Sequence, residues 1–297
     1  MGSRGWILFL AMSLIWGIPY LLIKIAVEGV SVPVLVFARV AVGAAVLLPL
    51  ALSRQTWTIV RTHWRPLLGF AFFEIIAAWW LLSDAERHLT SSMTGLLIAA
   101  APIFAAVLDR LTGGERLGAK RIAGLAVGMG GVAVLAGPHI GGTPWPIVEV
   151  LLVALCYAIA PLIAARRLAD VPTLPMTAIC LTFAALVYAG PAAATWPDEV
   201  PSTRVLIALA GLAVVCTALA FLVFFALIRE VGAARALVFT YVNPVVALAA
   251  GVVVLNEPLT AWNVGALALI VAGCVLATRR RPVDTGIESE PTTAAPR

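Results

Sequence analysis

Trp16, Tyr20 and Lys24 stand four residues apart within the stretch IWGIPYLLIK. In a helix that spacing puts all three on one face. Two aromatic rings ending in a cation suit a small zwitterion: the rings contact its side chain or ammonium, and Lys24 meets its carboxylate. The alternatives are that Trp16 packs on a neighbour and that Lys24, about one turn from a helix end, snorkels to water. Glu74, in AFFEIIAAWW, is a carboxylate deep in an apolar run, able to carry a proton or to answer a substrate ammonium. Trp79 and Trp80 follow it and point in different directions, so one at most faces an interior, while the other suits the membrane interface. In the second half, Tyr157, Tyr241 and Asn243 offer uncharged polar contacts. Arg39 sits inside another apolar run, where an isolated charge costs at least about 2.5–3.5 kcal/mol. It needs a carboxylate, carbonyls or water, and a clamp between helices is its expected role. Pro102, Pro244, Glu115 and Glu257 join Lys24 and Arg39 as gating or structural positions.

Other chemistry is not expected. Cys156, Cys180, Cys216 and Cys274 fall in apolar runs without CxxC spacing and read as small buried hydrophobes. His63, His88 and His139 lie singly and form no ligand cluster. No P-loop, GxSxG or HExxH pattern is present. We therefore expect no metal, no cofactor and no enzyme.

The elements that must position these residues are membrane helices. Hydrophobic residues make up 62% of the 297-residue chain and charged residues 12%, against about 25% charged in soluble domains. Crossing about 30 Å of hydrocarbon takes about 18 or more apolar residues, and ten such runs are found: 5–27, 33–53, 66–84, 89–112, 121–138, 146–166, 173–194, 204–228, 231–255 and 260–278. Only the tail 282–297 is polar and turn-rich enough to read as disordered. With the N-terminus inside, Arg4, Arg54, Arg61, Arg65, Arg110, Arg116, Lys120, Arg121, Arg166, Arg167, Arg229 and Arg279–Arg281 all fall on the cytoplasmic side, leaving Arg87 and Arg204 opposite. That asymmetry puts both termini in the cytoplasm. The net charge of +5 is thereby an orienting feature, and no nucleic-acid partner is expected. Gly124, Gly128, Gly130 and Gly131 make a small-residue face, which serves either internal packing or a homo-oligomer.

The chain also repeats itself. AAAPIFAAVLDRLTGGERL echoes FTYVNPVVALAAGVVVLNEPL 142 residues later, matching Pro102 with Pro244 and Glu115 with Glu257. Five helices per copy is an odd number, so the second copy enters the membrane upside-down. The expected fold is all-α and polytopic, with ten transmembrane helices in two inverted five-helix repeats, residues 1–138 and 139–281. Such inverted repeats suit alternating access around a midplane site. A proline within a membrane helix frees a carbonyl four residues earlier, tolerated where protein or a water-filled cavity satisfies it.

These residues carry a resemblance. IWGIPYLLIK, Arg39, LTSSMTGLLIAAAPIFAAVLDRLTGGERL and GAARALVFTYVNPVVALAAGVVVLNEPL, each of the last two followed by a Gly-rich helix, resemble the EamA-type carriers of the drug/metabolite transporter superfamily, over residues 5 to 278. The resemblance implies a ten-helix carrier of small metabolites, related to aromatic amino-acid exporters; with two Lys among twenty basic residues and abundant Ala, Arg, Gly and Pro, a GC-rich bacterial source and the cell inner membrane are expected. The expected function is secondary transport, with amino acids the expected substrates and export the expected direction. Multidrug or other metabolite export is the alternative, and a channel or membrane enzyme a more distant one.

Overall fold

A computed structural model describes residues 2–113, 118–136, 144–232 and 236–278. Glu115, Arg235 and the tail 282–297 lie outside the described residues. Among the described residues every regular element is helical. Seven helical runs are long and apolar enough to cross a membrane: Ser3–Ala26, Val32–Ala51, Arg54–Ala85, Ser91–Leu111, Trp145–Arg167, Thr173–Ala194 and Thr203–Val231. Three shorter apolar helices, Ile122–Leu135, Asn243–Leu255 and Ala261–Leu276, coincide with the other expected runs.

The first expected run, 5–27, is not one helix. α1 (Ser3–Ile15) ends before Trp16, and α2 (Pro19–Ala26) restarts at a proline, which lacks the N–H that a first turn leaves unpaired anyway. Gly17 lies in the break because a Cβ there would collide with the Val246 side chain and sit 2.7 Å from the Ser13 carbonyl. α3 (Val32–Ala51) follows, capped by Ser31. The third run starts at Arg54 rather than 66: α4 (Arg54–Ala71) opens with an amphipathic stretch that buries Thr56 and Ile59 while Trp57 and Trp64 stay exposed. Pro66 bends it at His63, whose φ of −119° leaves the helical range. A wide π-turn, Phe72–Ile76, leads into α5 (Ala77–Ala85).

The fourth run is broken too. α6 (Ser91–Ile98), capped by Thr90, stops before Ala99, and α7 (Ala101–Leu111) restarts with Pro102 in its first turn. α8 (Ala119–Ala136), α9 (Trp145–Arg167) and α10 (Thr173–Ala194) are single helices. α11 (Thr203–Ala210) and α12 (Ala220–Val231) are joined by a second wide turn, Gly211–Leu219. A 3₁₀ turn, Leu237–Tyr241, precedes α13 (Asn243–Leu255), again with a proline, Pro244, in its first turn; α14 (Ala261–Thr278) follows. Both prolines therefore begin a helix after a break rather than kink a continuous one.

The main apolar core gathers Leu35, Leu47, Leu67, Ile75, Leu181 and Leu212, all nearly or fully buried. A second cluster holds Leu96, Leu97, Ile103, Ala266 and Ile270. Three of the four α8 glycines face inward and Gly130 does not: α8 runs antiparallel to α14, with Gly273 against Gly128 and Gly124, and with Ile270 and Leu269 2.8–2.9 Å from a Cβ built on Gly131, while Gly130 is exposed. Large apolar side chains such as Leu186, Ile207 and Val253 point outward, as a lipid-facing surface requires.

Candidate functional site

The irregular backbone is where this fold spends its polar groups. A π-turn widens a helix by one residue and leaves carbonyls without their usual partner, which hydrocarbon does not tolerate. Here each wide turn has a carbonyl held by an aromatic donor from the other half of the chain. Tyr188 Oη donates to the Ile76 carbonyl at 2.6 Å, and Trp16 Nε1 donates to the Cys216 carbonyl at 3.3 Å. The break between α6 and α7 is closed similarly, with Cys274 Sγ donating to the Ala99 carbonyl at 3.0 Å. At the break before α13, Asn243, with its amide nitrogen turned inward, donates to the Ser13 and Phe239 carbonyls at 3.3 and 3.2 Å. Two of these groups, Cys274 and Trp16, have hydrogen-bonding work that sequence reasoning did not assign them.

Beside the second wide turn lies Arg39, two turns into α3 and 4% exposed. Its guanidinium stacks over the Trp79 ring at 3.9 Å, and Tyr20, Tyr157 and Cys216 lie within electrostatic range of it. Its Nε and Nη1 have no hydrogen-bond partner among the described residues. A buried cation with two unpartnered donor atoms and an aromatic floor has the chemistry to accept a carboxylate. Glu74, in the first wide turn, is half-buried. Its electrostatic neighbours are Cys156 and Tyr157 on α9 and Cys180 on α10. Trp79 is buried beneath Arg39, whereas Trp80 stacks on Tyr188 with ring centroids 6.1 Å apart and is 39% exposed on the outer surface. Trp16 packs among Phe221, Phe224 and Phe239. Tyr241 packs on the second apolar cluster.

The expected single face of Trp16, Tyr20 and Lys24 is formed only in part: the chain turns at Trp16–Ile18 and sends Trp16 to other partners, while Tyr20 and Lys24 stay four residues apart on α2. Tyr20 lies against Gly95, where α6 crosses α13 so closely that a Cβ on Gly95 would strike Ala247. The Lys24 ammonium donates to the Glu86 and Leu89 carbonyls, both at 2.7 Å, tying α2 to the end of α5. Beside it Glu257 reaches back from the turn after α13 onto the N-terminus of α6. Its Oε1 accepts from Ser91 N at 2.7 Å and Ser91 Oγ at 2.9 Å, and its Oε2 from Ser92 N at 2.9 Å and from Ser92 Oγ. An anion at a helix N-terminus meets both unpaired N–H groups and the positive end of the helix dipole. Asn256 takes a left-handed φ of 55° to aim Glu257 back, and Gly251 must lack a side chain because a Cβ would collide with Glu257 Oε2 and Ser92 Oγ.

A bundle of apolar helices with paired wide turns, paired proline breaks and a buried cation at their centre defines a membrane transporter rather than an enzyme. The chain belongs to the EamA-like transporter family, whose model matches residues 3–137 and again residues 144–279. Its relatives include the uncharacterized inner membrane transporter YedA of Escherichia coli K12, 30% identical over 280 residues covering 90% of this chain and 88% of that protein. The aromatic amino acid exporter YddG of Ancylobacter novellus is 34% identical over 152 residues, half of each chain. A probable terminal-alkyne amino-acid exporter of Streptantibioticus cattleyicolor is 28% identical over 165 residues, 50% of this chain and 52% of that one. A solved crystal structure shares the fold, with a TM-score of 0.67 at 22% identity over 94% of this chain and 98% of that chain.

Proposed function

We propose that this protein is a secondary carrier that exports amino acids by alternating access, through ten membrane helices built as two inverted repeats, residues 1–138 and 139–281. The observation that carries the reading is the coincidence of irregularities at one offset. Adding 142 to the α6–α7 break at Ala100 gives the break at Val242, and adding it to Glu74 in the first wide turn gives Cys216 in the second. The same offset turns the Gly128–Gly273 contact into the observed Ile270–Gly131 contact, as a two-fold axis between α8 and α14 would. Inversion is supported by what lies together at each end. His63 Nε2 is 3.5 Å from Asp170 Oδ2 at one end, and Ser31 Oγ is 2.7 Å from Thr195 Oγ1 at the other.

In this reading the substrate carboxylate docks on the free donors of Arg39, its apolar or aromatic side chain lies among Trp79, Tyr20 and Tyr157, and Glu74 faces its ammonium. The amino-acid exporters among the relatives support that class. The inner membrane is supported by the relative named as an inner membrane transporter, and cytoplasmic termini by the Lys/Arg asymmetry. The test is counterflow in proteoliposomes of the full chain, across the amino acids and with cationic drugs as a comparison set. Saturable exchange of aromatic and apolar amino acids is expected; exchange confined to the drugs would overturn the substrate assignment.

A further inference from the structure

The amino-acid reading leaves open what drives net movement, and the Lys24 end holds a group that bears on it. Glu86 follows α5 directly and is fully buried, with both carboxylate oxygens lacking a hydrogen-bond partner among the described residues. Three elements enclose it. From α2 come Lys24, whose ammonium donates to the Glu86 and Leu89 carbonyls, and Tyr20. From the turn after α13 comes Glu257, whose four acceptor contacts all go to Ser91 and Ser92. On its own segment, Asp84 and Arg87 pair with each other at 3.3 Å. Neither Glu86 oxygen receives a hydrogen bond among the described residues, and a buried carboxylate without donors favours the protonated form.

We propose that the Glu86 carboxyl is a proton-binding site of this carrier: closing the Lys24 end over it takes one proton from the adjoining water, and opening that end returns it. The proposal rests on the carrier reading. No electrons move; the carboxylate gains the O–H bond and the compartment facing it loses one proton. Closure is already drawn in the structure, since Glu257 from one half fastens α6 of the other directly above Glu86 and Lys24. Burial is the largest influence on the Glu86 carboxyl and raises it well above the usual carboxylate range; Lys24 opposes this and Glu257 adds to it. The closed form binds the proton more tightly than the open, hydrated form, so closure is favoured as pH falls. Glu257 itself is the wrong candidate, because its carboxylate has donors for both oxygens.

Two measurements on the full chain test this. In detergent at neutral pH, infrared spectra should contain the carbonyl stretch of a neutral carboxylic acid that Glu86→Gln removes and Glu86→Asp shifts. In proteoliposomes, one proton per substrate lets a one-unit pH gradient support about tenfold accumulation, and Glu86→Gln should abolish this accumulation while still exchanging labelled amino acid. Glu149→Gln, which alters another buried glutamate on α9, should keep the full accumulation. Gradient-driven accumulation in Glu86→Gln equal to that of the unaltered chain, or a spectrum that Glu86→Gln leaves unchanged, would overturn the proposal. Failure of the unaltered chain to exchange any amino acid counts against the carrier reading instead, and the infrared difference still reads the proton.

Discussion

Arg39 and Glu257 solve opposite problems with charge. Glu257 has four donors on one carboxylate, so it is a fastener whose worth is the helix end it closes. Removing its charge in Glu257→Gln should weaken the closed end by about 1–2 kcal/mol, a shift of about 5–30-fold toward opening. Spin labels at His88→Cys and Leu259→Cys would read this as a longer distance population; the native thiols, all buried, leave the background clean. Gly251→Ala should do the same by pushing the Glu257 carboxylate off the serines. An unchanged distance distribution would make the contact incidental. Arg39, by contrast, keeps two donors unused, and leaving a carboxylate without them costs about 1.5–3 kcal/mol per charged hydrogen bond. Arg39→Lys keeps the charge but loses the planar stack on Trp79 and the paired donors. It should weaken amino-acid exchange by about 10–100-fold in apparent affinity, while uncharged analogues lose little. Equal losses for both would return Arg39 to the role of a clamp.

At the scale of elements, a helix in lipid is judged by where its carbonyls go. Tyr188 donates to the Ile76 carbonyl, so Tyr188→Phe removes that hydrogen bond at a cost of about 0.5–1.5 kcal/mol. The expected result is a lower thermal unfolding midpoint in detergent with substrate affinity unchanged; a loss of affinity at full stability would instead put Tyr188 in the binding chamber. How much of this the sequence disclosed depends on whether the feature left a chemical mark. Pro102 and Pro244 were legible because proline is itself the mark, and the helix runs because apolar length is. The wide turns at Phe72–Ile76 and Gly211–Leu219 were not, since one extra residue in a run that is apolar on every face changes no pattern. The break at Trp16–Ile18 was hidden for a related reason: four-residue spacing holds only while the helix does. The extension from Arg54 was missed because a search for continuous apolar runs passes over an amphipathic stretch. Glu86 looked like a loop residue at the end of a run, and only the packing of α2 and the turn at Glu257 buries it.

For the whole molecule, the inverted repeat makes an assertion about sides that packing alone supports and labelling can decide. If the halves are inverted, the α3–α4 and α9–α10 turns share one side, as the His63–Asp170 approach suggests, and the α2–α3 and α10–α11 turns share the other, as Ser31 and Thr195 do. Positions in or next to these turns are exposed: Gln55 and Ala169 on the first side, Glu28 and Asp198 on the second. Single cysteines at Glu28 and Asp198 should react with a membrane-impermeant maleimide in intact cells, while Gln55→Cys and Ala169→Cys should react only after lysis. Two halves inserted the same way round would put Ala169 with Glu28, so surface labelling of Ala169→Cys would end the inverted arrangement. The consequence reaches the mechanism. Only with inversion can the Glu257 closure at one end have a mirror at the other, so that the two ends exchange states and a substrate on Arg39 meets each side in turn.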